Sequence, residues 1–253
     1  MSRCFLRLSY RGTAYHGWQV QENANTVQEV LQDSLATLLG LPDIQIVGCG
    51  RTDTGVHASE FYAHFDINKG PDEISGLNLL FNMNRILPGD IAIRQIIPVK
   101  DDAHSRYHAT SRTYQYNISR VKEPFTLDTS YFYFGDLDIE RMNEGANVIM
   151  EYTDFTSFSK LHTQVKTNNC RVTHAKWEGD GRSLVFTISA DRFLRNMVRA
   201  IVGTLLDLGR GKSEMVDLRK VIESKDRSAA GPSVPAKGLF LTRVEYPKGL
   251  FLQ

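Results

Sequence analysis

The segment Gly48-Cys49-Gly50-Arg51-Thr52-Asp53-Thr54-Gly55-Val56-His57-Ala58 gathers the residue types from which a reactive centre is built. Its glycines let a ligand approach the backbone closely. One carboxylate, Asp53, sits two residues from the Arg51 guanidinium, between the hydroxyls of Thr52 and Thr54. Arg51 and those donors would hold Asp53 ionised, as a nucleophilic carboxylate requires. The alternative is an aspartate that organises its own turn, the commonest task of Asp in a loop. Spacing alone leaves both readings open.

Two further groups carry potential chemistry. Tyr114 and Tyr116 lie one pleat apart beside Arg112, and an aromatic next to a cation is a platform for a flipped base or sugar. The ordinary alternative is core packing, which is the preferred reading for Tyr116; the pattern does not say which tyrosine is exposed. Arg192, Arg195 and Arg199 follow at i, i+3, i+7 on a helix expected over 191–209, so they would line one stripe beside its apolar face. A solvated charged face is the usual explanation, but three arginines without interleaved acids suit phosphate or carboxylate binding.

Other chemistries find less support. The seven histidines include one i, i+4 pair, His104 and His108, but no HExxH or Cys/His knuckle, so no metal site is expected. Neither GxxxxGK[ST] nor GxGxxG is present, which removes the usual nucleotide cofactors. A glycosidase pair would need a second acid, and none is identifiable beside Asp53.

The elements that must position these residues are written in the periodicity. Arg3–Tyr10 alternates, with Cys4, Leu6, Leu8 and Tyr10 on one face, as a half-buried strand does. Thr26-Val27-Gln28-Glu29 has capping-box spacing, and Val27, Val30, Leu31, Leu35, Leu38 and Leu39 follow at helical spacing up to Gly40. Strands are expected at Ile44–Gly48, Phe61–Ile67 and Ile91–Val99, with a helix over Leu77–Leu87. The pattern restarts after Asp101-Asp102: a strand around Arg112–Ile118, a helix over Ile139–Met150, a strand at Leu184–Ser189, and Asp191 placed to cap the arginine-bearing helix. Residues 228–237 read as an irregular loop before a last strand, Gly238–Tyr246. Without a regular βαβ rhythm the class is α+β. The halves share an order of strand, turn, amphipathic helix and further strands, which suggests two similar domains, 1–103 and 104–253.

The 253 residues carry 30 Lys/Arg against 29 Asp/Glu. Neutrality first argues against a nucleic-acid partner, but distribution matters more than the total. Residues 1–100 hold eight basic and ten acidic side chains, whereas Lys160–Arg199 holds eight basic and three acidic, a net +5. The longest uncharged stretch, Ile74–Asn84, has 11 residues, short of the roughly 20 a membrane span needs. The start lacks a signal-peptide pattern. Cys4, Cys49 and Cys170 are too widely spaced for a disulfide framework or a metal knuckle, which points to a reducing, cytoplasmic setting.

The motifs in order resemble the tRNA pseudouridine synthase A family. They are Tyr10-Arg11-Gly12-Thr13-Ala14-Tyr15-His16-Gly17-Trp18-Gln19, Gly50-Arg51-Thr52-Asp53-Thr54-Gly55-Val56-His57-Ala58, Asn82–Arg85 with Leu87–Ala92, Arg112–Tyr116, Asp154–Phe158, Phe193–Arg199 and Gly238–Leu241. One departure stands at Ala103-His104-Ser105-Arg106, where the family commonly has an aromatic in the first position.

The resemblance implies the pseudouridine synthase fold: two similar α/β subdomains with mainly antiparallel sheets around a central cleft lined by the last strand. It implies a cofactor-free, metal-free homodimer that isomerises uridine to pseudouridine at positions 38, 39 and 40 of the tRNA anticodon stem-loop. By the same carry-over Asp53 is the nucleophile, Arg51 helps hold or flip the nucleotide, and Arg199 pairs with the catalytic carboxylate. Tyr114 stacks on the base, Leu241 lines the pocket, and Arg112 and Arg195 join the substrate contacts. On the residues alone, a non-catalytic RNA-binding module and a small-molecule glycosyl-transfer enzyme remain rival readings.

Overall fold

The computed structural model describes residues 2–68, 78–160 and 166–252, and these form nine strands and five helices. The first part of the stretch Ile74–Asn84, Leu77 of the expected helix, and His162 lie outside the described residues. The chain divides into two compact units, Met1–Thr110 with Leu241–Gln253, and Ser111–Phe240.

In the first unit, β1 (Ser2–Tyr10) lies between β3 (His57–Ile67) and β4 (Ile91–Val99), antiparallel to both. Cys4, Leu6, Leu8 and Tyr10 are buried as their alternation requires, and Phe5 on the opposite face is buried too. Its ring meets Tyr246 and Phe251 edge-on at 5.4 and 6.1 Å, so β1 is covered on both faces at that point. The helix α1 (Val27–Leu39) starts where Thr26 Oγ1 accepts the Glu29 N–H and stops at Gly40, whose φ of 65° is left-handed. Leu31 and Leu35 anchor it in the core. The strand expected over Ile44–Gly48 shortens to β2 (Val47–Gly48), paired with β3. The next helix, α2 (Leu79–Ile86), packs on β4. There Asn84 brackets one residue of that strand: its Nδ2 donates to Ile93 O and its Oδ1 accepts Ile93 N–H, both at 2.9 Å.

The second unit repeats this economy with different strand order. β8 (Ser183–Ala190) lies between β5 (Ser111–Ser119) and β7 (Val172–Gly179), antiparallel to both, and the two-residue β6 (Tyr131–Phe132) pairs parallel with β5. The helix α3 (Ile139–Met150) begins at Asp138, whose Oδ1 accepts the Arg141 N–H, and packs on β7. Asn143 brackets Trp177 of β7 as Asn84 brackets Ile93, with bonds of 3.1 and 2.8 Å. Two further helices follow, α4 (Met197–Gly209) and α5 (Met215–Ser224), and the last strand is β9 (Leu239–Glu245). The α+β class with mainly antiparallel pairing is therefore observed.

The division point differs from the expected 103/104 boundary because residues 104–110 are bound into the first unit. Ser105 Oγ donates to Val47 O at 2.8 Å and lies 2.9 Å from His64 Nδ1; Tyr246 Oη donates to Ser105 O, and Thr110 N–H to Glu245 O. Residues 241–253 return to this unit for the same reason. Cys4, Cys49 and Cys170 are all buried free thiols, and burial pushes Cys4 up to about 11 and Cys170 to about 12. Among the described residues no helix is long and apolar enough to cross a membrane.

His64 makes this core pH-sensitive. It is 5% exposed, and burial, reinforced by Arg3 and His104 against a smaller opposing pull from Asp66, lowers its pKa from 6.5 to about 4. The unfolded chain therefore binds this proton more readily than the folded one between pH 6.5 and about 4, so stability falls as pH falls through that window. At ~1.4 kcal/mol per unit the full effect is up to about 3 kcal/mol. The urea midpoint should drop between pH 7 and 4, and His64→Gln should flatten that part of the profile. An unchanged slope would assign the acid sensitivity to other groups.

Candidate functional site

The Asp53 loop leaves β2 at Gly48 and enters β3 at His57, and hydrogen bonds from the segment following β1 fix its path. Cys49 N–H donates to Tyr62 O at 2.7 Å, and Val56 N–H closes a turn on Asp53 O at 3.1 Å. Gly55, with a φ of 77°, supplies the left-handed step that this turn needs. Trp18 N–H donates to Thr52 O and Gly55 N–H to Tyr15 O, so residues 15–18 and 52–55 are tied at both ends. Buried Thr52 shares a 2.8 Å hydrogen bond with Tyr10 Oη. His57, with no exposed surface, accepts the Gly12 N–H on Nδ1 at 3.0 Å, which leaves the ring's other nitrogen to carry the proton.

Sterics explain the glycines of the clamping segment. A Cβ on Gly12 would stand 2.0 Å from Val56 O, and one on Gly17, already at φ 93°, would stand 2.4 Å from Thr52 O. Behind the loop Trp18 stacks on Phe61 at 4.1 Å and presses on Gly48, where a Cβ would meet the indole nitrogen at 2.5 Å. At the far end Tyr15 Oη donates to Asp90 Oδ1 at 2.7 Å, and burial together with that carboxylate raises the phenol's pKa. The loop thus presents Asp53 half-buried, Arg51 and Thr54 exposed, and Thr52 turned inward. The turn that the sequence leaves as one reading of Asp53 is present, and it is closed by the Asp53 backbone carbonyl.

The second unit carries the other expected residues. Arg112 and Tyr114 lie on β5 opposite Ala190 and Ile188 of β8. Arg112 Nη1 donates to Asp191 O at 2.9 Å, and the half-buried Tyr114 ring meets Phe193 edge-on at 5.0 Å. Tyr116 is fully buried with its hydroxyl on Pro235 O, the core role preferred for it.

The arginine stripe is not formed. The helix begins at Met197, after Asn196 at a left-handed φ of 69°, so Arg192 and Arg195 precede it and only Arg199 lies on it. Asp191 caps no helix; its Oδ1 accepts the N–H groups of Arg171 and Arg192 and closes the end of the β-hairpin. Leu194 is buried from the irregular segment before the helix, which is why the apolar spacing looked continuous. Arg195 is exposed, its carbonyl accepting the Lys160 N–H. Arg199, half-buried on the first turn of α4, donates from Nε to Val234 O at 2.8 Å and receives Val234 N–H on its own carbonyl. The loop 228–237 is therefore held against α4, most closely where a Cβ on Gly203 would stand 1.9 Å from Pro232 O. Leu241 is buried on β9. Among the described residues no group of three or more His, Cys, Asp or Glu side chains is placed to hold a metal ion.

Sequence reasoning gave the segment 10–19 no function of its own. Its signal was present in the pair Gly12 and Gly17, which stand where another backbone passes within van der Waals distance.

The α+β chain presents one half-buried aspartate on a Gly-Arg-Thr-Asp loop, and comparison with known proteins places that chain in an enzyme family. The sequence model described as tRNA pseudouridine synthase matches residues 8–108 and 152–247. A protein from Bacteroides thetaiotaomicron named tRNA pseudouridine synthase A is 53% identical over 254 residues, covering 99% of this chain and 93% of that protein. Proteins of the same name from Bacteroides fragilis and Porphyromonas gingivalis are each 51% identical; the first match covers 99% of both chains and the second 100% of both. The chain belongs to the tRNA pseudouridine synthase family.

The clamp makes a steric prediction. Gly12→Ala should lower stability by about 1–3 kcal/mol, because the Val56 carbonyl must move, whereas Gly50→Ala, with nothing within 4 Å of its added methyl, should stay within about 0.5 kcal/mol of the parent. Urea unfolding of the two variants checks this; equal midpoints would mean the contact at Gly12 is soft.

Proposed function

We propose that this chain isomerises uridine to pseudouridine at positions 38, 39 and 40 of the tRNA anticodon stem-loop, with Asp53 as nucleophile and no cofactor. The observation that carries the reading is the loop geometry: Asp53 is half-buried on a backbone fixed by Tyr10, Gly12, Tyr15 and Trp18. A nucleophile held this way loses little orientational entropy when substrate arrives.

The chemistry requires breaking the N1–C1′ bond, turning the uracil, joining C5 to C1′ and removing the C5 proton. Atoms and oxidation state are conserved, so a carboxylate able to attack the sugar carbon or the base is the principal demand. The target uridine must also leave its stack, which costs a few kcal/mol that protein contacts have to offset. In this account Tyr114 stacks on the displaced base, with its ring angle set by Phe193. Arg51, exposed beside Asp53, holds or flips the nucleotide. Arg199 supplies positive charge for the carboxylate from a side chain already oriented by Val234 O. Arg112 and Arg195 contact substrate, and Leu241 lines the base pocket. The functional unit is a cytoplasmic homodimer bridged by tRNA.

Asp53→Ala should reduce pseudouridine formation in an anticodon stem-loop by about a thousandfold or more while the protein keeps its RNA affinity. Tritium release from 5-tritiated uridine reads the first quantity and filter binding the second. Undiminished turnover would remove Asp53 from the chemistry, and turnover of free uridine without structured RNA would favour a small-molecule enzyme.

Salt offers a separate test. If Lys160–Arg199, net +5, contacts phosphates, the logarithm of tRNA affinity should fall with log salt at a slope of about −0.7 to −0.9 per phosphate neutralised. A flat dependence would remove that stretch from the binding surface.

A further inference from the structure

Residues His104–His108 form a second ordered feature of the first unit that the reaction above does not use. His104 Nδ1 accepts the backbone N–H of Arg106 at 3.1 Å and of Tyr107 at 3.3 Å. His108 Nδ1 accepts the His104 N–H at 3.1 Å, and His108 N–H returns to His104 O. Two imidazoles thus replace water as acceptors for three loop amides, which fixes a segment that would otherwise be mobile. Ser105, between them, is buried and tied to Val47 and Tyr246.

The rings of this segment form a column that reaches solvent. Phe5 stacks with His64 at 6.0 Å, His64 meets His104 at 4.7 Å, and His104 lies 4.2 Å from Tyr107 at an interplanar angle of 35°. The inner three members are buried or half-buried, while Tyr107 is 74% exposed. The Arg106 guanidinium carbon stands 5.9 Å from the Tyr107 centroid, within cation–π range.

A lone exposed aromatic needs no explanation. This one differs in two respects: its backbone is locked by side-chain acceptors, and a cation stands beside its ring. A rigid aromatic next to a guanidinium is the arrangement by which unpaired RNA bases are bound, because every base offers a π-face and the adjoining backbone offers negative charge. Placing Tyr107 in solvent at the end of a buried column lowers the ordering cost of binding.

We propose that Tyr107, with Arg106 beside it, is a stacking platform for an unpaired nucleobase of the tRNA other than the uridine that reacts. The assignment rests on the functional reading given above, and it adds a specificity contact separate from Asp53 and from Tyr114, which follows seven residues later on β5. At the departure Ala103-His104-Ser105-Arg106, Ala103 is fully buried and its carbonyl accepts from Arg3 Nη1.

The test measures binding in an Asp53→Ala background, so that turnover does not enter. Fluorescence anisotropy with a labelled, unmodified tRNA transcript should show affinity weakened roughly 5- to 100-fold by adding Tyr107→Ala, and retained within about twofold by adding Tyr107→Phe, which keeps the ring. Thermal melting of each variant checks that the fold is intact. An unchanged affinity for Tyr107→Ala, or equal losses for Ala and Phe, would overturn the platform. So would a change of oligomeric mass with RNA affinity unaltered, since the ring would then serve a protein contact. Pseudouridine formation by the parent protein is scored separately: its absence with the Ala/Phe contrast intact would remove the isomerase reading and leave the RNA platform standing.

Discussion

The approach of the Gly12 backbone to the end of the Asp53 loop is the constraint on which the site depends. A main-chain amide at Gly12 donates to His57, the Val56 carbonyl passes where a side chain would stand, and Tyr10 reaches Thr52. Each bond is ordinary, worth about 1 kcal/mol net. Their joint effect is positional: they hold the loop from the end of β1, an inner strand of its unit, so the precision of a sheet is passed to a segment that would be mobile alone. A histidine serves here as a hydrogen-bond acceptor inside the core, a task that requires a neutral ring with one bare nitrogen.

The second unit uses the same logic with different parts. Tyr114 and Arg112 sit on a strand paired along its length, and their side chains meet the segment that follows the neighbouring strand. Arg199 is oriented by the Val234 carbonyl, and that loop is in turn set by Val234 N–H on Arg199 O and by its close passage over Gly203. In both units an asparagine on a helix brackets one residue of a strand, Asn84 on Ile93 and Asn143 on Trp177, and so fixes helix against sheet with a pair of bonds. The shared device fits the expectation of two similar subdomains.

Much of this was legible in the sequence, for identifiable reasons. Thr26 and Gly40 bound α1 because caps are local chemistry, and Ile139–Met150 is helical as its apolar spacing requires. Tyr116 is buried as the core-packing reading preferred for it expects, although alternation puts it on the same face as Tyr114 and does not separate the two. What failed was inference across a loop. Leu194 continues the apolar rhythm of α4 from an irregular segment, so the helix seemed to start near 191 and the arginines seemed to share a face; the left-handed Asn196 breaks that register. The Ile44–Gly48 strand shortened because only its last two residues reach a partner. The unit boundary moved because Ser105 and Thr110 bond to residues far away in sequence, which no local pattern encodes. The clamp on Asp53 was invisible for the same reason, although its two glycines marked the place.

The measurement that bears most directly on the central claim is nucleotide-resolution mapping of pseudouridine in unmodified tRNA transcripts incubated with the purified protein alone. The account predicts new pseudouridine within the anticodon stem-loop, at positions 38 to 40 and nowhere else, without added metal or cofactor. Transcripts that emerge unmodified, or modified only outside the anticodon stem-loop, would contradict it.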